Sequence, residues 1–333
     1  MYLIPFFLRR LTHAAAILFC VVVTVVVAIR MIPGDPVEIM TAGTPGITEH
    51  QRQELRNQLG LDGSLMTQVV TSVQRFAAGN MGESIRFRRS AAEVVVERVL
   101  ATVELTFAAM FLALMISLPL GILAALFRGR LMDRVASVVS ILGVSIPSFV
   151  LGVVLMIFFS LHLNWFPVAG RGGQGLIFGL IDLVSGRGVR PLLSALRHLA
   201  LPAFALAFSV VAWNTRLIRS SMIEVLKADY VRFARAKGLP EFTVVVRHAF
   251  RTALIPTITI VGLQMGYLLS GAFIVENVFA WPGIGRLAVQ AISWRDYPLI
   301  QAIVAVTAVM FLLINIAVEM LYQIVDPRIR HAR

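Results

Sequence analysis

The chain has 333 residues, of which 58% are hydrophobic and only 14% are charged, and its net charge is +12. Soluble domains carry roughly 25% charged residues, so this composition excludes an ordinary water-soluble globule and indicates a membrane protein. The single cysteine, Cys20, lies in an apolar run and has no partner in the chain for a disulfide.

Long apolar stretches without Asp, Glu, Lys or Arg recur along the chain, and a helix that crosses a membrane needs about 20 such residues. The first stretch could instead be a secretory signal peptide, but its apolar run exceeds the usual length of roughly 7–15 residues and no cleavage site follows it. Glu104, at the outer edge of the second stretch, is predicted to be a helix-boundary residue. We predict six spans, at residues 11–29, 105–127, 135–161, 199–215, 252–275 and 297–318.

Basic residues are distributed unevenly between the connections of these spans. With the N-terminus in the cytoplasm, the cytoplasmic pieces hold 16 basic and 6 acidic residues, and the outer pieces hold 14 basic and 12 acidic residues. Because Lys and Arg accumulate in cytoplasmic loops, this pattern places both termini in the cytoplasm. The net charge is therefore a topology signal, and no soluble module with the basic face of a nucleic-acid-binding protein is evident.

The outer segment 30–104 is predicted to be helical. Thr48-Glu-His-Gln51 is a capping box, and the helix that it starts is expected to end at Gly60. A second helix follows from residue 65 and ends at Gly79-Asn80, and a further capping box at Ser90-Ala-Ala-Glu93 starts a helix that continues into the second span. Three roles stay open for this segment: a helical cap on the span ends, a docking surface for an extracytoplasmic partner, or a lid.

Sequence motifs for catalysis are missing. The chain contains no G-x-x-x-x-G-K-[ST], no G-x-S-x-G and no H-E-x-x-H, and its six histidines are scattered. We therefore predict that the chain is not an enzyme. The predicted spans also lack the ionisable groups that ion-driven carriers often place in the membrane, so the energy for any transport is expected to come from another subunit. An ion-coupled secondary transporter and a non-transporting membrane scaffold are the alternatives.

The cytoplasmic loop 216–251 contains an amphipathic pattern. Gly238 allows a left-handed helix end, and Pro240 can open a second helix near 241–250 that leads into the fifth span. The loop is either an amphipathic helix on the inner leaflet or an elbow that inserts into a groove of a soluble partner, for which small residues such as Ala234 and Ala236 would be needed. The residues that we assign to one apolar helical face are Met222, Val225, Leu226, Tyr230, Phe233 and Ala234.

Two segments of this loop carry a resemblance to a known family. Asp-Tyr-Val-Arg-Phe-Ala-Arg-Ala-Lys-Gly-Leu at 229–239 and Arg-His-Ala-Phe-Arg-Thr-Ala-Leu-Ile-Pro at 247–256 closely resemble the coupling loop of binding-protein-dependent ABC importer permeases of the oligopeptide, dipeptide and nickel group. The general motif begins with Glu-Ala-Ala, where this chain has Arg232-Phe233-Ala234. Other matching segments follow in order along the chain: 9–10, 32–36, 118–122, 145–148, 276–283, 295–298 and 326–330.

The resemblance implies an all-α membrane protein with six transmembrane helices, the type I ABC importer permease fold and cytoplasmic termini. It implies the following organisation: an N-terminal transmembrane helix at 1–29, an extracytoplasmic helical segment at 30–104, a five-helix permease core at 105–318 with the coupling loop 216–251, and a cytoplasmic tail at 319–333. The protein would lie in the cytoplasmic (inner) membrane of a bacterium.

The resemblance also implies partners. These are a second homologous permease subunit, two cytoplasmic ABC ATPases that bind ATP and Mg, an extracytoplasmic solute-binding protein and the lipid bilayer, with no cofactor or metal in this chain. The expected solute is a short peptide, with nickel or a metal chelate second. Within the membrane, the spacing of Gly262 and Gly266 predicts close helix packing. The residues implied to couple to the ATPase are Asp229, Tyr230, Arg232, Phe233, Ala234, Arg235, Ala236, Lys237, Gly238 and Leu239.

Overall fold

The chain is mostly helical in a computed structural model, which describes residues 48–59 and 65–325 and scattered positions between Thr12 and Val37. The described residues also form one small antiparallel β-hairpin, which the predicted all-α architecture did not include. The elements are α1 (Glu49–Leu59), α2 (Leu65–Ala77), β1 (Glu83–Ser84), β2 (Arg89–Ser90), α3 (Ala91–Leu126), α4 (Leu131–Ser145), α5 (Ser148–Leu155), a π-helical segment (Met156–His162), α6 (Leu176–Val184), α7 (Arg190–Val225), α8 (Asp229–Ala236), α9 (Glu241–Thr243), a second π-helical segment (Val244–Phe250), α10 (Arg251–Val278), α11 (Ile284–Trp294) and α12 (Tyr297–Val325).

Four helical stretches among the described residues are long and apolar enough to cross a membrane. They lie at Ala91–Leu126, Arg190–Val225, Glu241–Ser270 and Tyr297–Val318, and the bent pair α4 and α5 makes a fifth if it counts as one span. They cover the second, fourth, fifth and sixth predicted spans. Only scattered positions of the first predicted span at 11–29 are described, and the segment 32–36 and the tail from residue 326 lie outside the described residues.

The predicted third span is not one straight helix. α4 ends at Ser145, α5 begins at Ser148, and the two helices are bent by 105°. Pro147 accounts for the break because it has no backbone N–H and disfavours helical geometry at the residue before it, and Ile146 is indeed extended with ψ 118°. Pro202 and Pro256, in contrast, lie inside continuous helices.

The described residues form two compact units. The first combines those up to Leu100 with Gly283–Leu313, and the second combines Ala101–Pro282 with those from Ile314 onward.

In the first unit, the predicted capping box before α1 is confirmed: Thr48 N–H donates to Gln51 Oε1 at 3.0 Å, and Gln51 N–H donates to Thr48 Oγ1 at 3.4 Å. The predicted end of α2 is also confirmed, since Gly79 is left-handed with φ +76°.

A buried carboxylate organises the hairpin of the first unit. Asp296 Oδ2 accepts the Ser84 hydroxyl at 2.6 Å and the Arg86 N–H at 3.1 Å. The other oxygen, Oδ1, accepts the N–H of Leu299 at 3.2 Å in the first turn of α12, which is the bond of an N-cap. One side chain thus holds the hairpin and starts a long helix. The aromatic rings of Phe87 and Trp294 meet edge to face at 5.7 Å beside it.

The second unit is built around α7. A Cβ atom added at Gly143 of α4 would lie 2.6 Å from the Cβ of Ala212, and one added at Gly121 of α3 would lie 2.8 Å from the Cβ of Ile218. Glycine therefore lets both helices approach α7 more closely than any side chain would allow. α10 also packs against α7, so α7 connects the helices of this unit. Its 36 residues correspond to a length of about 54 Å at 1.5 Å per residue.

Candidate functional site

The candidate site begins where α7 ends. α7 stops at Val225, and Ala228 is extended with φ −67° and ψ 147°, so the chain turns before α8 starts. Gly238 follows α8 with φ +75°, which confirms the predicted left-handed helix end. Pro240 is extended and precedes the first residue of α9. The predicted second helix is confirmed, since α9, the π-helical segment and α10 follow without a break.

One side of α8 is part of the core of the second unit. Val231 is fully buried and Ala234 is 5% exposed. They share a hydrophobic cluster with Ile218 and Met222 of α7 and with Val244 of the second π-helical segment. Because α8 is only eight residues long, it would be marginal as an isolated helix, and these contacts hold it against α7.

The side of α8 next to the buried one is apolar and exposed. Tyr230 is 46% exposed, Phe233 is 61% exposed and Leu239 beyond the helix end is 38% exposed. Large apolar side chains in a loop outside the spans are typical of an interaction surface. We call α8, the turn at Gly238 and the start of α9 the elbow. Tyr230, Phe233 and Leu239 form its outer face.

The prediction of one apolar face from Met222 to Ala234 is wrong. The extended backbone at Ala228 interrupts the helical period, so the predicted face divides. Met222 and Ala234 belong to the buried side, whereas Tyr230 and Phe233 belong to the outer face. Ala234 is therefore occupied by contacts within its own chain. The other predicted coupling residues are exposed: Asp229, Arg232, Arg235, Ala236, Lys237, Gly238 and Leu239.

Charged side chains brace the elbow. Arg235 donates two hydrogen bonds to Glu241, from Nη2 to Oε1 at 2.7 Å and from Nε to Oε2 at 3.1 Å, and so joins α8 to α9 across Gly238. The hydrogen bond with the Glu241 carboxylate raises the pKa of the Arg235 guanidinium above its usual value. Lys237 Nζ lies 4.6 Å from the ring centroid of Phe233. A paired Arg235 is less available to an acidic partner than a free guanidinium would be.

A second ion pair lies near the base of the elbow. Arg219 of α7 donates to both carboxylate oxygens of Asp133 in α4, with Nη2 at 3.0 Å from Oδ2. The N–H of Gly129 also donates to Asp133 Oδ2 at 2.9 Å. α4 is therefore tied to the end of α7 that carries α8. Sequence reasoning missed this pair because 86 residues separate its members.

The prediction that Glu104 is a helix-boundary residue is wrong. Glu104 lies inside α3, and its side chain is only 2% exposed. It accepts hydrogen bonds from Arg171 and from the N–H of Leu176 at the start of α6. Glu276 in α10 is fully buried as well and accepts the Thr102 hydroxyl at 2.6 Å. Throughout the described part of the chain, no group of three or more His, Cys, Asp or Glu side chains could hold a metal ion.

The two glycines predicted to allow close helix packing lie in α10. Gly262 and Gly266 are both buried, as expected for residues on the packed side of a helix. The surface that they pack against stays a prediction.

The sequence of the chain is similar to those of known transport proteins. The family described as "Binding-protein-dependent transport system inner membrane component" matches residues 117–331. The chain is 42% identical to the di/tripeptide transport system permease protein DppB of Pseudomonas aeruginosa, 38% identical to the dipeptide transport system permease protein DppB of Escherichia coli and 36% identical to the glutathione transport system permease protein GsiC of Salmonella choleraesuis. Each match covers 99% of this chain and 100% of the relative.

A solved structure shares the fold. One chain of the inward-facing MetNI methionine ABC transporter superposes with a TM-score of 0.55 at 18% identity, over 70% of this chain and 96% of that chain. The predicted fold class, that of the type I importer permeases, is confirmed by this likeness. At such low identity the likeness concerns the fold alone.

Proposed function

Because this chain belongs to the family of binding-protein-dependent transport system inner membrane components, we propose that it lines, together with a second homologous permease subunit, the path by which an ATP-driven importer moves short peptides. Its relatives of 36–42% identity are permeases for di- and tripeptides, dipeptides and glutathione. Glutathione is itself a modified tripeptide. A peptide of two or three residues is therefore the solute class that these relatives support best.

The elbow is the proposed contact with a cytoplasmic ATPase. The observation that carries this proposal is the division of α8 into a buried side, Val231 and Ala234, and an exposed apolar outer face. A helix that only lay on the membrane would not need a second buried side. A helix that transmits movement needs both, because one side must grip the partner and the other must be fixed to the bundle.

The proposed mechanism is a shift between two conformations. ATP binding closes a pair of ATPases, each of which moves the elbow seated in its groove. α8 is packed on α7, and α7 is tied to α4 through Arg219 and Asp133, so movement of the elbow is passed to the helices of the second unit. The helices alternate between inward-open and outward-open arrangements, and nucleotide and solute each favour one of them.

The complete importer would contain two permease chains, two ATPases and one extracytoplasmic solute-binding protein. The ATPases would bind ATP and Mg. Both termini of this chain and the elbow would lie on the cytoplasmic side, as the distribution of basic residues favours. The binding protein would deliver the peptide from the opposite side.

Substitution of Gly238 tests the contact. A Cβ added at Gly238 meets no atom within 4 Å, so its cost to folding is the left-handed backbone alone, about 1–2 kcal/mol. Gly238→Ala and Gly238→Trp share this cost, but only Trp adds bulk at the elbow. In the reconstituted importer, we expect Gly238→Trp to abolish the stimulation of ATPase activity by the loaded binding protein and Gly238→Ala to retain most of it.

The two variants separate blocked docking from backbone strain. Equal loss in both would mean that strain, and not contact, controls the activity. Full stimulation in a membrane-inserted Gly238→Trp importer would rule out docking of the ATPase at the elbow.

The solute is tested separately. We expect dipeptides and tripeptides to stimulate the ATPase activity of the importer with its own binding protein, whereas free amino acids should not. Stimulation by a nickel chelate and not by peptides would contradict the proposed solute and leave the coupling role of the elbow intact.

A further inference from the structure

α6 is an apolar helix that packs on α7 but leaves most of its large side chains uncovered by the described part of the chain. Of its nine residues, Leu-Ile-Phe-Gly-Leu-Ile-Asp-Leu-Val, Asp182 is the one with a charge. The protein core buries Gly179. Six large apolar side chains are exposed, with Val184 reaching 88% exposure: Ile177, Phe178, Leu180, Ile181, Leu183 and Val184.

The backbone of α6 is nevertheless firmly placed. A Cβ added at Gly179 would lie 2.8 Å from the Cα of Leu192, so the helix is pressed against the first turn of α7. Its first N–H, on Leu176, donates to the buried carboxylate of Glu104. Unpaired N–H groups at a helix start are costly away from water. The Glu104 contact satisfies one of these groups at the start of α6.

The position of α6 along α7 matches the edge of the membrane. α6 contacts α7 at Leu192, and the apolar stretch of the fourth predicted span begins seven residues later at Leu199. That stretch has 17 residues and ends at Thr215, before Arg216, so the roughly 20 residues that cross the hydrocarbon begin near Leu196. Four helical residues, a rise of about 6 Å, separate Leu196 from Leu192, and the polar region on each side of a bilayer is roughly 5–8 Å thick. With nine residues, α6 is about 14 Å long and too short to cross the hydrocarbon.

The exposed side chains surround most of the helix. At 100° per residue, they occupy well over half of its circumference, and Gly179 and Asp182 occupy the remainder. A rigid protein partner covers one side of a helix, whereas fluid acyl chains surround it. The start of α7 and the residue before it extend the same kind of surface, since Val189, Leu193 and Leu196 are also exposed.

We propose that α6 is an interfacial helix which lies in the headgroup and upper acyl region of the bilayer, so that the chain contacts lipid outside its spans as well as along them. The partner of this surface is the acyl part of phospholipids. The polar turn after the helix, where Arg187 Nη1 lies 3.1 Å from Asp182 Oδ1, faces the headgroups and water.

Spin labels test the environment of α6 in the assembled importer. The complete complex is prepared with its native cysteines replaced, including Cys20→Ser in this chain, and labels are attached at Ile181→Cys or Val184→Cys. Gln174→Cys, an exposed position in the loop before α6, is the matched control. In phospholipid nanodiscs, we expect labels at 181 and 184 to collide more often with oxygen, which concentrates in lipid, than with a water-soluble nickel chelate. The label at 174 should collide more often with the nickel chelate than with oxygen.

Both exposed positions must agree. Preferential collision with the nickel chelate at 181 and 184 would show that α6 lies in water and overturn the proposal. Protection of both labels from oxygen and from the chelate would show that a protein subunit covers α6, and would overturn it equally. The result does not depend on peptide transport, so it is independent of the proposed function.

Discussion

At the scale of single residues, Glu104 and Arg171 place two opposite charges inside the second unit, with side chains that are only 2% and 12% exposed. Removing a charge from water costs several kcal/mol, which the partner charge and hydrogen bonds must offset. The Leu176 N–H adds a third contact to the same carboxylate. The pair therefore joins α3, the loop before α6 and α6 itself.

Removal of one partner should be costly. Arg171→Met keeps much of the side-chain volume but leaves the Glu104 carboxylate without its cation, and we expect a loss of about 3–5 kcal/mol in the free energy of unfolding. Arg187→Met is the matched control, because Arg187 pairs with Asp182 at the surface and its side chain is 74% exposed, so the expected loss is about 0–1 kcal/mol. Thermal unfolding of the purified chain measures both. Similar shifts in the two variants would mean that the buried pair has no special role in stability.

Local contacts were predictable from the sequence, and distant ones were not. Thr48 and Gln51 are three residues apart, so the capping box follows from helix geometry alone. Glu104 and Arg171 are 67 residues apart, and Ser84 and Asp296 are 212 residues apart. Nothing in a hydropathy pattern relates such positions, although Asp296 lies in the segment 295–298 that resembles the permease family.

At the scale of elements, α8 combines two surfaces with different roles. The sequence predicted its position and its glycine end. The division into two faces was missed because helical periodicity was continued through Ala228, where the backbone is extended. Only the packing of α8 on α7 and on the second π-helical segment distinguishes Val231 from Phe233.

Two truncations should separate these roles. Phe233→Ala removes an exposed side chain, so the unfolding temperature should stay unchanged while the stimulated ATPase activity of the importer falls. Val231→Ala removes two methyl groups from a fully buried site, and the expected loss of local stability is about 1–2 kcal/mol. Hydrogen exchange should then show faster exchange across α8. Faster exchange in Phe233→Ala, or unchanged exchange in Val231→Ala, would contradict the assignment of the two faces.

At the scale of the whole molecule, hydropathy located four membrane-crossing helices, because a span is a local property of composition. The size of the bend at Pro147 does not follow from the sequence. A proline removes one hydrogen bond and crowds one carbonyl of its own helix. Whether the helix then kinks or breaks depends on the helices packed against it. α10 and α7 keep their prolines inside continuous helices.

The energy source is also a property of the whole assembly. Two buried glutamates are found among the described residues of the second unit, and both are bonded within the chain, Glu104 to Arg171 and Glu276 to Thr102, so neither has the exposure expected of a proton carrier. We expect proteoliposomes that contain the complete importer to take up peptide with ATP on the ATPase side and no ion gradient. Uptake that is driven by a proton or sodium gradient without ATP would favour an ion-coupled carrier instead.

The bond between Arg235 and Glu241 has a consequence for how fast the subunits find one another. Glu241 neutralises a cation beside Gly238, and Glu241→Gln would release that positive charge to the solvent. Long-range attraction raises the rate of diffusional encounter and is screened by salt. The variant would thus assemble faster with an acidic ATPase at low ionic strength, and the difference would vanish in concentrated salt.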